Sequence, residues 1–165
     1  MLNRSIRRKA RQLGRLIKHS ALMPRTGTTK FPVLSRSGQL GVTFIGHSSF
    51  FLQLAGKKFV IDPNFAQWLF VLKRLRRPGL RIADLPPIDA VLVSHAHFDH
   101  LHRPSLRAIA RATRRQSGRA PVLIVPEHLR DLVFDLGYER VIELPWWQTV
   151  RIGEAEITAV PAKAG

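Results

Sequence analysis

The chain has 165 residues, of which 45% are hydrophobic and 23% charged, the balance of a single globular domain with a buried core. It contains no cysteine, which excludes disulfides and thiolate metal ligands, so any metal must be held by His, Asp or Glu. Lys and Arg outnumber Asp and Glu by 27 to 11, and the net charge of +16 favours anionic partners such as nucleic acid, anionic lipid or phosphorylated substrates.

Residues 1–38 are predicted to form a basic leader and linker. Apolar residues recur there at helical spacing among arginines and lysines, which is the pattern of an amphipathic helix that can lie on an anionic membrane surface. A solvated helix or a disordered basic tail would carry the same charges. No apolar run reaches the length of a membrane span and no secretory signal is recognisable, so we expect a cytoplasmic protein, peripheral on the inner membrane face where the leader binds lipid. The apolar positions are Leu2, Ile6, Ala10, Leu13 and Ile17.

Residues 39–165 predict an α/β domain with a mixed sheet. Three short segments rich in Val, Ile and Phe, the last ending at Asp62-Pro63, predict a strand, a hairpin and another strand, while residues 65–77 fit a helix or an irregular flap. The later elements are buried strands at 88–94 and 120–126, helices from Pro104 and over 127–136 with Gly137 as its cap, and a hairpin over 149–160. The predicted core positions are Phe44, Phe50, Leu52, Phe59, Ile61, Val91 and Val93.

The stretch SHAHFDHLH, which begins at residue 94, contains four of the chain's 7 histidines. It follows a predicted buried strand and precedes a predicted helix, and ligands in open α/β sheets gather beyond the carboxyl ends of the strands. His95 and His97 are two residues apart, so an extended backbone points both the same way, and Asp99 and His100 follow where the chain turns. This ligand set suits Zn²⁺, or Fe or Mn, better than Ca²⁺ or Mg²⁺. His102 lies outside the spacing and is expected at the rim.

The order H-x-H-x-D-H at these positions resembles the signature of the metallo-β-lactamase fold superfamily. Residues 42–65 are similar to the opening strands of that superfamily. Residues 77–106 and 144–162 resemble the branch that contains the N-acylphosphatidylethanolamine-hydrolysing phospholipase D, near lactonase-like hydrolases. The similarity covers about residues 40–162. It implies the N-terminal half of an αββα sandwich, in which a mixed sheet is flanked by helices.

The resemblance also implies two metal ions per complete site, expected to be Zn²⁺ with Fe or Mn as alternatives. His95 and His97 match ligands of the first metal. Asp99 and His100 match ligands of the second metal, and they are the candidate catalytic residues. The implied reaction is metal-assisted hydrolysis, in which an activated water molecule attacks a phosphorus or carbonyl centre.

Other positions extend the family pattern or depart from it. Asp62 matches an acidic residue that orients a ligand histidine, and His47 matches a position near the cleft, or is a turn residue bonded to backbone. A third histidine of the first metal is expected at residue 164, where the chain has Ala164. A later bridging aspartate and a final histidine are also absent. We therefore expect a truncated domain that binds metal weakly, is inactive alone, or needs a partner that supplies the missing half.

Three functions are compatible with these observations. The first is a phospholipase D-like phosphodiesterase that acts on N-acylphosphatidylethanolamine-type lipids, with the basic leader and an arginine stripe from Arg103 to Arg115 placing it on anionic membranes. The stripe is equally a solvated helix face. The second is an RNA-processing nuclease of the same fold, which the net charge would suit. The third is a non-catalytic half-domain or binding module.

Overall fold

The computed structural model describes residues 4–36, 38–69 and 71–161. Leu2 and Ala164, named above, lie outside the described residues. Short 3₁₀ turns occupy Ile82–Asp84, Arg130–Leu132 and Phe134–Leu136. The helices are α1 (Arg4–Leu22) and α2 (Arg103–Ser117). The strands are β1 (Gly41–Gly46), β2 (Ser49–Leu54), β3 (Lys57–Ile61), β4 (Trp68–Leu69), β5 (Leu72–Lys73), β6 (Ala90–Leu92), β7 (Val122–Val125), β8 (Arg140–Glu143), β9 (Thr149–Ile152) and β10 (Ala155–Thr158).

Six strands form one mixed sheet in the order β1-β2-β3-β6-β7-β8. The first three pair antiparallel through tight turns, and β3, β6, β7 and β8 pair parallel, with α2 crossing between β6 and β7. Because β2 runs against both of its neighbours, β1 is parallel to β3. The carboxyl ends of β1, β3 and β6 therefore lie at the same edge of the sheet. The predicted α/β class with a mixed sheet is confirmed.

The sheet is covered on both faces. One face carries Phe51, Val60, Val91 and Leu123 and packs against α2 through the fully buried Leu106. A second cluster lies under the β9–β10 hairpin, which forms its own two-stranded sheet on the opposite face. The members of that cluster are Phe59, Ala90, Ile124, Leu144 and Ala155. The alternation of the two sets along each strand follows from the two-residue period of the pleat.

The layer formed by the β9–β10 hairpin ends before the edge strand β1. The predicted core position of Phe44 is therefore wrong. Phe44 pairs with Phe50 and lies on the face that the β9–β10 hairpin covers farther along the sheet. The hairpin does not reach β1, so the Phe44 side chain is 59% exposed and its ring meets that of Phe50 at 5.3 Å. Phe59, Val91 and Val93 are buried, as predicted.

The helix predicted over residues 127–136 is wrong. The segment forms two 3₁₀ turns separated by Val133, whose φ of −136° cannot continue a helix, and His128 before them has a φ of 64°. Val133 is fully buried, so tertiary packing overrides the local pattern. Gly137 does cap the segment, with a φ of 86°. Of the two interpretations of residues 65–77, the flap is the nearer, since a short β4–β5 hairpin forms there.

Tyr138 is the only tyrosine, and its hydroxyl donates to the Leu106 carbonyl oxygen at 2.9 Å. Burial raises the pKa of Tyr138 well above its ordinary value. Above that ordinary value the unfolded chain ionises here and the folded chain does not, so this residue lowers the stability as pH rises. We expect Tyr138→Phe to cost about 1 kcal/mol of unfolding free energy at neutral pH and to remove part of the alkaline loss. Urea unfolding of both proteins at neutral pH and at a pH above the ordinary pKa of tyrosine checks this. An equal difference in unfolding free energy between the two proteins at both pH values would contradict it.

Candidate metal centre

The candidate ligands gather at the sheet edge where β1, β3 and β6 end. His47 follows β1, Asp62 follows β3, and the loop from His95 to His100 follows β6. His47 and Asp62 both have positive φ angles, of 56° and 45°. Such angles are uncommon outside glycine, and the surrounding structure must hold them. The edge thus aims side chains from three separate parts of the chain at one place.

Asp62 is 5% exposed, and its carboxylate accepts three hydrogen bonds. Ser94 donates its backbone N–H to Oδ1 and its hydroxyl to Oδ2, both at 2.7 Å. His100 Nδ1 lies 2.9 Å from Oδ2. Because a carboxylate only accepts, His100 donates from Nδ1 and its Nε2 is left with a free lone pair. That nitrogen lies 3.7 Å from the Asp99 carboxylate.

The tautomer of His95 follows from the same network. The one hydroxyl hydrogen of Ser94 is used toward Asp62, so Ser94 Oγ accepts from His95 Nδ1 at 2.8 Å. His95 Nε2 therefore presents a lone pair, and it lies 3.0 Å from His97 Nδ1. Burial, followed by the charges of His100 and His97, lowers the pKa of His95 and favours the neutral form that binds metals.

A second group joins His47, Asp99 and His100, whose ligand atoms all lie within 4.8 Å of one another. His47 Nε2 lies 2.8 Å from Asp99 Oδ2. Burial alone would raise the pKa of Asp99. The hydrogen bond from His47, the backbone hydrogen bond and the charges of His100 and His47 together outweigh burial, and the pKa is lowered overall. His47 thus reaches the Asp99 side chain, which the sequence pattern did not foresee.

Asn64 is a residue of this site that the sequence analysis missed. It is fully buried, and its side chain donates from Nδ2 to the Asp99 carbonyl oxygen at 2.8 Å. Ser49 Oγ accepts from the Asn64 backbone N–H and donates to the Asp62 carbonyl oxygen at 2.6 Å. The signal in the sequence was a polar residue directly after Asp62-Pro63, at the end of an apolar strand. His102, expected at the rim, instead caps α2 by accepting from the Ser105 N–H.

These side chains fit a metal centre. They combine four imidazole rings, of which those of His95 and His100 present an Nε2 lone pair, with one carboxylate, the donor chemistry of Zn²⁺, Fe and Mn sites. Asp62 holds the far nitrogen of His100, as carboxylates behind metal-binding histidines do. The residues that would hold the ions are His47, His95, His97, Asp99 and His100. Position 164 lies outside the described residues.

Known proteins resemble this chain over most of its length. An uncharacterized protein of Mycobacterium tuberculosis is 31% identical over 135 residues, 77% of this chain and 34% of that protein. The mitochondrial N-acyl-phosphatidylethanolamine-hydrolyzing phospholipase D of Saccharomyces cerevisiae is 31% identical over 129 residues, 73% of this chain and 26% of that protein. The crystal structure of CmlA, a diiron beta-hydroxylase from Streptomyces venezuelae, matches 77% of this chain and 24% of its own with a TM-score of 0.58 and 25% identity.

The chain therefore spans only about a quarter to a third of the length of these relatives. Residues 57–165 match the family model of the beta-lactamase superfamily domain, which covers β3, β6 and the whole histidine loop. The six-stranded mixed sheet with the ligand loop at its carboxyl edge agrees with that match. The chain belongs to the beta-lactamase superfamily and has a metallo-β-lactamase fold.

Proposed function

We propose that the protein is part of a metal-dependent hydrolase that cleaves a phosphodiester of an N-acylphosphatidylethanolamine-type lipid. The observation that carries the proposal is the convergence of His47, Asp99 and His100 on one point, next to the His95–His97 pair. The similarity to the yeast phospholipase D supports the substrate class. The similarity to a diiron hydroxylase means that iron, as well as zinc, is a candidate for the resident metal.

The chain's own residues would position the reaction. Bound metal ions would supply Lewis acidity and an activated water molecule. Asp62 and Ser94 hold His100 and His95 in the tautomers in which Nε2 carries no proton. Asp99 supplies the one carboxylate among the three grouped ligands, and its negative charge would reduce the repulsion between two bound cations.

An apolar groove next to this centre supports a lipid substrate. The groove has a volume of about 290 Å³ and lies between the end of the main sheet and the β9–β10 hairpin. Ser94, which contacts Asp62 and His95, lines the groove together with apolar residues that include Ile61, Leu92 and Ile157. A cleft lined mainly by apolar side chains with few polar groups is the usual form of a site for a ligand with an apolar body.

The test of the proposal loads the protein with Zn²⁺, Mn²⁺ or Fe²⁺ and measures bound metal and hydrolysis together. We expect this chain to bind metal, and the whole hydrolase to show metal-dependent cleavage of N-acylphosphatidylethanolamine in mixed micelles that a chelator stops. Product analysis for phosphatidic acid identifies the bond that is cleaved. Protein that binds none of the three metals would contradict the proposed centre, and protein that binds metal but cleaves only RNA would favour the nuclease.

Helix α1 supports a lipid surface as the place of action. Its first turns lie away from the body, with Ile6 and Leu13 51% and 48% exposed on one face. Another face of the helix carries Arg7, Arg8, Arg11 and Arg15, all exposed. An apolar stripe flanked by cations is the pattern of a helix that lies in a membrane interface. Among the described residues, no helix has the length and apolar character to cross a membrane.

The arginine stripe of α2 supports a membrane role less well. Arg103 and Arg107 both pair with Asp135, at 2.7 and 3.0 Å, so half of the stripe is engaged within the protein. Arg111 and Arg115 are exposed. Membrane binding is therefore proposed for α1 alone.

We expect Leu13→Glu to weaken binding to vesicles that contain phosphatidylglycerol by roughly tenfold, because it places a charge in the apolar stripe. Leu132→Glu is the matched control, since Leu132 is 46% exposed but lies in a 3₁₀ turn outside α1. Vesicle co-sedimentation measures both. Equal weakening by the two variants, or equal binding of Leu13→Glu and the unchanged protein, would contradict a lipid role for α1.

A further inference from the structure

Arg74 lies beside the candidate metal centre, and Arg25 lies in the segment that is bonded to the Arg74 segment. Arg74 donates from Nη1 to the Asn64 carbonyl oxygen at 2.6 Å, and its Nη2 lies 3.4 Å from where a Cβ on Gly46 would be. Burial lowers the pKa of Arg74, and the charge of Arg25 lowers it further. None of the ion pairs found within residues 4–36, 38–69 and 71–161 involves either arginine.

Each of these arginines has a buried N–H atom with no acceptor. Arg25 Nε and Arg74 Nη2 are the two buried side-chain atoms without a hydrogen-bond partner in the part of the chain that the structure describes. A buried charged donor without an acceptor is unfavourable, and two adjacent like charges add to the cost. An anion that accepted from both N–H groups would remove this cost.

The backbone holds the segments that carry the two arginines next to each other. Thr26 donates its N–H to the Leu75 carbonyl oxygen at 2.8 Å, and Arg77 donates its N–H to the Thr26 carbonyl oxygen at 2.9 Å. The segment that carries Arg25 therefore runs along the segment that carries Arg74. The Arg74 guanidinium is also held by its hydrogen bond to Asn64, which lowers the entropic cost of binding a ligand there.

The arginine pair borders the metal centre through two contacts. Asn64 accepts from Arg74 and donates to the Asp99 carbonyl oxygen at 2.8 Å, so one buried residue touches both sites. Gly46, against which Arg74 packs, directly precedes His47. An anion bound by the arginines would therefore lie next to the candidate ligands.

We propose that Arg25 and Arg74 form an anion pocket that binds a phosphate group beside the metal centre. Guanidinium groups present N–H donors in a planar fork that matches phosphate oxygens. The use of this pocket for the phosphate of a lipid substrate rests on the proposed function. Phosphate binding by the pocket requires no metal and can be tested apart from it.

The experiment titrates metal-free protein, kept in chelator at constant ionic strength, with inorganic phosphate and in parallel with glycerophosphoethanolamine. Calorimetry and the thermal unfolding midpoint report binding. We expect phosphate to bind and to raise the midpoint, and Arg25→Gln to weaken binding about tenfold or more. Binding of glycerophosphoethanolamine supports the use of the pocket for a lipid headgroup, whereas binding of inorganic phosphate alone assigns the pocket to free phosphate.

Arg76→Gln is the control, because Arg76 is exposed in the same segment and the variant loses the same charge. We expect it to bind phosphate as the unchanged protein does. Without ligand, Arg25→Gln should unfold at an equal or higher temperature, since it removes one of two like charges. A lower midpoint with unchanged phosphate binding would make Arg25 purely structural and overturn the pocket. Failure of the unchanged protein to bind phosphate would also overturn the pocket, but it would leave metal-dependent hydrolysis untouched. If phosphate binds and no metal-dependent hydrolysis is found, only the proposed function is overturned.

Discussion

Asp99→Asn is expected to lower metal affinity on the order of 100-fold or more, with a matching loss of any hydrolysis. Asp99 supplies the only carboxylate of the group that it forms with His47 and His100, and an amide keeps its size but not its charge. Its Oδ2 lies 2.8 Å from His47 Nε2 and 3.7 Å from His100 Nε2. Titration with Zn²⁺ against a competing chelator measures the affinity.

The matched control is Asp131→Asn, an identical change at an exposed position in a 3₁₀ turn. We expect its metal affinity to equal that of the unchanged protein. The Asp99→Asn protein should also keep its fold, because the backbone bond from Asn64 to the Asp99 carbonyl oxygen does not involve the carboxylate. An Asp99→Asn protein that binds zinc as tightly as the control would remove Asp99 from the centre.

Asp62→Asn is expected to lower the unfolding free energy of the metal-free protein by about 2–3 kcal/mol. The new amide replaces an acceptor, so the donors of Ser94 and His100 can no longer all be satisfied. The positive φ at this position tolerates asparagine, so the variant tests the hydrogen bonds rather than the backbone. Urea unfolding measures the loss.

The same substitution should weaken metal binding roughly 10- to 100-fold, because His100 loses the group that fixes its tautomer. Ser94→Ala removes one donor from the same carboxylate and should cost less stability, about 1 kcal/mol. Asp131→Asn again controls for the charge. Unfolding of Asp62→Asn at the same urea concentration as the control would show that the network around Asp62 contributes nothing to stability.

The fold was predictable from the sequence where a pattern repeats, and less so where packing decides. The near-continuous apolar run around Val91 predicted a buried strand. β6 forms there, and its residues Ala90 and Val91 are fully buried. Residues 127–136 carry a helical pattern, but the burial of Val133 imposes two 3₁₀ turns. Phe44 has the character of a core residue but lies beyond the reach of the β9–β10 hairpin. Both differences come from contacts far apart in sequence.

The site was predictable in its compact part. His95, His97, Asp99 and His100 lie in one loop, and their spacing singled them out, although their role as ligands stays a prediction. Neither Asn64 nor the pairing of His47 with Asp99 could be inferred from spacing, because each depends on how β1, β3 and β6 align. Arg25 and Arg74 looked like two charges among many. Only the structure shows their buried, unpaired N–H atoms.

The three-strand origin of the site ties metal binding to the order of folding. The His47–Asp99 contact spans 52 residues and the His100–Asp62 contact spans 38. The His100–Asp62 contact needs the parallel β3–β6 pair, and the His47–Asp99 contact also needs β1 to have joined the sheet through β2. Both are long-range contacts of the kind that form slowly. A metal ion that needs both contacts finds no site on a partly folded chain. Its binding would draw molecules into the folded state and make metal uptake a measure of the fraction that has completed folding.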